Sequence, residues 1–172
     1  RHVSIMGATG SVGRSALAFI AHANAVADEP VFSIGALSAN RDVARLAQQA
    51  IAFDADLAVI ADESRYDDLK AALSGTGIKA ASGAQALAEA ASRPADRVLA
   101  GIVGIACLHS THDALAAGNS VALANKESMV CAGPLLKRLS KETGATIVPT
   151  DSEHNAMFQV MERAEDVEKL LL

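Results

Sequence analysis

Short apolar runs alternate with stretches of helical periodicity from one end of this chain to the other, and that alternation restricts the fold more than any single residue does. The runs occupy residues 2–6, 31–37, 57–61, 78–81, 98–104, 120–124 and 145–148, and their shortness and Val, Ile and Ala content mark them as strands. Between them, apolar residues recur at helical spacing: Val12, Ala16, Phe19, Ile20 and Ala23; Val43, Leu46, Ala47, Ala50 and Ile51; Tyr66, Leu69 and Leu73; then residues 84–91; Leu108, His112, Leu115 and Ala116; and Leu135, Leu136 and Leu139. Pro134 limits or kinks the last of these helices. Strands joined through helices lie parallel and are buried on both faces. The pattern therefore predicts an α/β, doubly wound, mainly parallel sheet with helices on both faces.

The bulk properties narrow the partners. A chain of 172 residues with 51% hydrophobic content can bury a substantial core. Only 3% of residues are aromatic and Trp is absent, which argues against a stacking platform for single strands; a net charge of -5 without a Lys or Arg run argues against nucleic acid generally. No apolar stretch approaches bilayer length and the first residues lack the order of a signal peptide, so no membrane partner and a soluble, cytoplasmic protein are expected. Cys107 and Cys131 have no metal-ligand spacing and are expected as buried small hydrophobes. The chain opens on Arg1 and ends on three leucines, and both ends suggest a fragment.

Candidate chemistry lies at strand ends. Gly7-Ala8-Thr9-Gly10-Ser11-Val12-Gly13 separates the first strand from the first helix, where backbone N–H groups can approach a pyrophosphate and the helix N-terminus favours its charge. The spacing is G-x-x-G-x-x-G, and a tight turn needs glycine in any case. After the second strand stand Asn40, Arg41 and Asp42. An acidic residue there would accept from the 2′-hydroxyl of NAD, an Arg would accommodate the 2′-phosphate of NADP, and both are available. Asp42 also suits the start of a helix, whereas Arg41 has no such duty, which inclines the reading to NADP.

Asn125-Lys126-Glu127-Ser128 crowds an amide, a cation and a carboxylate at the end of the sixth strand, and Thr150-Asp151-Ser152-Glu153-His154-Asn155 follows the seventh. In extended chain Asp151 and Glu153 point the same way and could hold one divalent cation; the alternative is a strand-to-helix turn capped by Asp151 or Ser152, with a helix from near Asn155. Of the five histidines, only His154 lies within such a cluster.

The glycine turn, Leu123-Ala124-Asn125-Lys126-Glu127-Ser128 and Asp151-Ser152-Glu153-His154-Asn155-Ala156, in this order and separation, resemble the 1-deoxy-D-xylulose-5-phosphate reductoisomerase family over essentially the whole chain. The resemblance implies a Rossmann-like NADPH-binding domain at residues 1–149 and the start of a truncated catalytic, metal-binding domain at 150–172. It implies NADPH and a divalent metal, Mg or Mn, as cofactors. The implied activity is rearrangement of 1-deoxy-D-xylulose 5-phosphate and reduction to 2-C-methyl-D-erythritol 4-phosphate, a step of non-mevalonate isoprenoid synthesis.

By the same resemblance Thr9, Gly10, Ser11 and Val12 cradle the pyrophosphate, and Asn40, Arg41 and Asp42 meet the adenosine ribose and its phosphate. Asp42 departs from the Gly-Lys-Asn type of triplet common in the family. Asn125 and Glu127 lie near the cofactor, Lys126 and Ser152 contact the phosphorylated sugar substrate together with Glu153, and Asp151 and Glu153 bind metal; Lys126, Asp151 and Glu153 form the catalytic set. A homodimer is implied for the full-length protein. The family's further metal-binding Glu, its mobile loop and its C-terminal domain come later than Leu172, so NADPH binding with little or no turnover is expected of this chain. Two rivals remain from the residues: another NADP-dependent dehydrogenase, and a non-catalytic NADP-binding module.

Overall fold

The structure is a computed structural model that describes residues 1–161 and Lys169; the apolar ending at 170–172 and residues 162–168 of the expected second segment lie outside the described residues. Strand and helix alternate as β1 (His2–Met6), α1 (Ser11–Val26), β2 (Ser33–Ala39), α2 (Val43–Ala52), β3 (Leu57–Ile60), α3 (Tyr66–Ala72), β4 (Lys79–Ser82), α4 (Gly83–Ser92), β5 (Arg97–Ala100), α5 (Cys107–Ala116), β6 (Val121–Leu123), α6 (Lys126–Thr143), β7 (Ile147–Pro149) and α7 (Ser152–Val160). Single 3₁₀ turns precede α3 and α5.

The seven strands pair in the order β4-β3-β2-β1-β5-β6-β7, every pair parallel. Chain order reverses direction at β1, so the carboxyl ends of β1 and β5 open a crevice between neighbours whose helices leave to opposite sides. Alternate side chains sort the core into two layers. Val3, Ile5, Ala58 and Ile60 pack with Leu17 and Ile20 of α1, Leu46 and Ala50 of α2 and Leu69 of α3. Met6, Val59, Val98 and Ala100 pack with Ala90 of α4, Leu115 of α5 and Leu136 of α6. Small side chains on α4 and α5 let helices lie close on the sheet, as an Ala-rich, aromatic-poor composition requires.

Several expected boundaries move. The second strand runs two residues further on, starting at Ser33 opposite His2; within it the β1–β2 register shifts between Val3 and Ile5, and the His2 ring lies 2.5 Å from the place a Gly35 side chain would take. The fifth strand ends at Ala100 rather than at residue 104, and the chain then turns away along the crevice. In α1 the buried residues are Gly13, Leu17 and Ile20, whereas Phe19 is 63% exposed, so the expected stripe through Val12 and Phe19 is displaced by about one position. Helix α6 departs from helical geometry at Ala132, two residues before Pro134, as the proline ring demands. Cys107 is buried, but Cys131 is exposed, contrary to expectation, on the outer side of that kinked helix.

Candidate cofactor cleft and carboxylate cluster

Each glycine of the first turn has its own task. Gly7 adopts φ +89°, and a side chain there would stand 2.9 Å from the Gly101 backbone at the end of β5. A Cβ on Gly13 would stand 2.4 Å from the Gly7 carbonyl oxygen and 2.6 Å from Ala8 Cα, so only glycine lets α1 pack this closely on the turn. Gly10 is the N-cap of α1, and it offers no side chain to the first N–H groups. No acidic residue stands in that first turn either. The helix start thus keeps its partial positive charge and unshared donors for a ligand.

Neighbouring strands hold the turn in place. Gly7 N donates to Ser38 Oγ at 3.0 Å, Ala8 N to Ser38 O at 2.7 Å, and Gln49 Nε2 to Ala8 O at 3.1 Å. The result is a cleft of about 380 Å³ lined by Gly7, Thr9, Gly10, Asn40, Gly101 and Ile102, among others, at the β1–β5 crevice. Glycine backbone, an uncapped helix N-terminus and apolar walls suit a dinucleotide phosphate.

The expected cofactor residues divide between cleft and support. Thr9, Gly10 and Asn40 line the cleft, and Ser11 and Val12 form the exposed first turn of α1 beside it. Arg41 follows Asn40 on the rim with its Nε on Asp62 at 2.6 Å. The Asp42 carboxylate is committed to α2, accepting from Arg45 N at 3.1 Å and facing Arg45 Nε at 3.7 Å. Asn125 is buried and fully engaged. Its Oδ1 accepts from Ser128 N and Oγ at 2.9 and 2.7 Å, and its Nδ2 donates to the carbonyls of Ile102 and Gly104 at 3.2 and 3.0 Å. Asn125 therefore shapes the cleft wall from behind, while Glu127 is exposed one residue into the first turn of α6.

The carboxylate cluster has the helical alternative anticipated for it. Asp151 is the N-cap of α7, which starts at Ser152, so Asp151 and Glu153 are not two positions of an extended strand. One Asp151 oxygen, Oδ2, takes both the His154 backbone N–H and the His154 ring nitrogen Nδ1; Oδ1 has no partner among the described residues. Partial burial works against ionisation of Asp151, but the hydrogen bonds and charge of His154 outweigh it and hold the carboxyl below its ordinary value. Glu153 is lowered too, by its own backbone N–H and the Ser152 side chain first, then by the Lys126 charge.

Lys126, Asp151 and His154 line one groove of about 930 Å³ between α6 and β7. Among the described residues no three His, Cys, Asp or Glu side chains come together as a metal site. The two carboxylates are hard oxygen donors of the kind Mg and Mn take. No described helix is long and apolar enough to cross a membrane.

Residue reading overlooked Ser38, Gln49 and Asp62. Ser38 and Asp62 act through contacts between strand ends, and Gln49 through a contact from α2 to the glycine turn; in each case the partner is far away in sequence.

Fold and site define a doubly wound α/β domain of the dinucleotide-fold class, with a second polar cluster on the same edge of the sheet. A family model described as 1-deoxy-D-xylulose 5-phosphate reductoisomerase matches residues 3–133. The chain belongs to that family. Reductoisomerases of Ruegeria sp. and Caulobacter vibrioides are 47% and 49% identical over all of this chain, which spans 43% and 42% of their lengths. The solved structure of the Zymomonas mobilis reductoisomerase in complex with NADPH superposes with a TM-score of 0.89 at 47% identity, covering 95% of this chain and 42% of that one. A reductoisomerase complex with NADPH, fosmidomycin and magnesium gives 0.88 at 37% identity, covering 98% and 40%. A biliverdin reductase at 17% identity and TM-score 0.58 shares the fold alone.

Proposed function

We propose that residues 1–149 are the NADPH-binding domain, and residues 150–172 the beginning of the catalytic, metal-binding part, of an enzyme that rearranges 1-deoxy-D-xylulose 5-phosphate and reduces the product to 2-C-methyl-D-erythritol 4-phosphate. The observation that carries this is the pairing, on one sheet edge, of the glycine cleft with the Lys126–Asp151–Glu153 cluster in a chain of this family. A non-catalytic module has no use for the second cluster, and a dehydrogenase that turned Lys126 and Asp151 to another substrate is disfavoured by the family match.

When bound, NADPH supplies a hydride, and a divalent ion, Mg or Mn, supplies Lewis acidity toward the substrate oxygens. The chain's own residues bind and orient. Backbone N–H groups of Gly10, Ser11 and Val12, with Thr9 beside them, hold the pyrophosphate at the start of α1. Asn40 meets the ribose and Arg41 its 2′-phosphate. Asp42, spent on its helix cap, helps by starting α2. Asn125 fixes the Ile102–Gly104 wall, and Glu127 lies near the cofactor. Lys126 offers positive charge to the substrate oxygen on which negative charge develops, and Ser152 donates a hydrogen bond to the substrate. Asp151 and Glu153 would hold the metal, and Glu153 would also face the substrate.

A homodimer of the full-length protein and a cytoplasmic location belong to the same reading; two unpaired cysteines and a chain without a described membrane-spanning helix support the latter. The test is titration of the chain with NADPH and NADH, followed by nicotinamide fluorescence because Trp is absent. Preference for NADPH that Arg41→Ala abolishes is the expected result. Binding of neither cofactor would sink the reading.

A further inference from the structure

Arg41 and Asp62 face each other just past the carboxyl ends of β2 and β3. The ladder continues beyond both strands, with Ala61 N donating to Ala39 O at 2.8 Å and Asp62 N to Asn40 O at 3.0 Å. Asn40 and Ala61 line the cofactor cleft, so the next residue on each strand stands at its rim. The Asp62 side chain is as constrained as its backbone. Its Oδ1 accepts from Ser64 N at 3.0 Å and Ser64 Oγ at 2.6 Å, and its Oδ2 accepts from Arg41 Nε at 2.6 Å.

Hydrogen bonding by the Ser64 hydroxyl first, and by Arg41 next, lowers the Asp62 carboxyl to about 2, so it stays ionised. The Arg41 side chain is 74% exposed and that of Asp62 only 17%. An ion pair this open contributes little to folding. Its geometry has another consequence. Only Nε of Arg41 is used, and among the described residues neither terminal nitrogen has a hydrogen-bond partner. Those nitrogens form the half of the fork that pairs with a phosphate, and an arginine without a tether must lose rotamer freedom before it can bind. The neighbouring acid does not compete for them, since Asp42 is turned to Arg45.

We infer that Asp62 is a positioning residue for cofactor choice, holding the Arg41 guanidinium by Nε so that its terminal nitrogens are ready for the 2′-phosphate that distinguishes NADP from NAD. The inference rests on the NADPH reading and adds to it: selectivity for a phosphate depends on a carboxylate that does not touch the cofactor. Sequence position gives no hint of this, because Asp62 starts a 3₁₀ turn twenty-one residues after Arg41, as any capping acid would.

The test is the same fluorescence titration, with NADPH and NADH, on the wild-type chain and on Asp62→Asn, Asp62→Glu, Arg41→Ala and the Arg41→Ala/Asp62→Asn double variant, each checked for folding by circular dichroism. Asp62→Asn is expected to lower the NADPH-over-NADH preference roughly tenfold, with NADH affinity unchanged. Asp62→Glu is expected to restore part of it. In the Arg41→Ala background the Asp62 change is expected to do nothing further. Equal weakening toward both cofactors, or tighter NADPH binding by Asp62→Asn, would overturn the inference while Arg41→Ala still upheld the NADPH reading. A wild-type chain without preference would remove both.

Discussion

Gly13 has the least room of the glycines in the cofactor turn, since the atoms a methyl group would meet are backbone, which cannot swing aside. Gly13→Ala is expected to cost about 2 kcal/mol or more of stability by urea unfolding and to abolish NADPH binding. Gly10→Ala, whose Cβ would stand 3.3 Å from Gly7 O, is expected to cost much less. Asp62 brings a pH dependence whose sign is fixed by its lowered carboxyl. A depressed acid stabilises the fold above its unfolded value, near 3.8, and loses that contribution as pH falls toward about 2. The stability difference between wild type and Asp62→Asn should therefore be constant from neutral pH down to about 5 and shrink below about 4. A difference that disappeared near neutrality would contradict the assigned contacts. At this scale the sequence was legible wherever a residue acts through its own neighbours, as Asp42 and Asp151 do in capping helices. Ser38 and Asp62 were not legible, because their partners Gly7 and Arg41 are brought to them by strand pairing across 31 and 21 residues.

Among the elements, α6 shows how one cap serves two purposes. Asn125 both starts the helix and ties it to the Ile102–Gly104 wall of the cleft, using its acceptor for one and its two donors for the other. Asn125→Ala orphans buried groups at both places and is expected to destabilise by about 2–3 kcal/mol. Asn125→Asp keeps the cap but turns a carboxylate oxygen onto the Ile102 and Gly104 carbonyls, so a loss of stability at least as large, with weaker NADPH binding, is expected from paired unfolding and titration curves. The existence and order of these elements followed from apolar periodicity alone, whereas their ends did not. Strand β5 stops four residues early because after Gly101, whose N still donates to Met6 O, the chain turns to pass close to Gly7, and β2 starts at Ser33, opposite His2 at the start of β1. Both boundaries are set by a neighbouring strand. The face of α1 was misread for a similar reason: Gly13 and Leu17 are buried by contact with the turn and sheet, while the larger Phe19 is left to an edge contact with Phe32.

The whole molecule presents two polar centres on one edge of one sheet, and their completeness differs. The cleft has its glycine turn, its helix start and its rim arginine, whereas the carboxylate cluster has two hard-oxygen donors and, among the described residues, no third. The 172-residue chain is accordingly expected to bind NADPH yet give no measurable oxidation of it when 1-deoxy-D-xylulose 5-phosphate and Mg or Mn are added; absorbance at the nicotinamide band reads both. Changing Asp151 and Glu153 to Ala should leave NADPH affinity intact, and should abolish any Mn binding seen by calorimetry. The doubly wound class was legible because burial on both faces writes itself into every strand, whereas the want of a third metal ligand was anticipated only through the family resemblance, since residues alone do not say what lies near in space. One further consequence follows from the bare start of α1. Helices α2, α6 and α7 are finished by their own Asp42, Asn125 and Asp151, while α1 has no such side chain. On the NADPH reading the cofactor is the piece that finishes it, and saturation at a hundred times Kd would add about 2.7 kcal/mol to stability. The lifetime of such a protein in a cell would then follow the supply of its coenzyme, with starved copies the first to be opened and degraded.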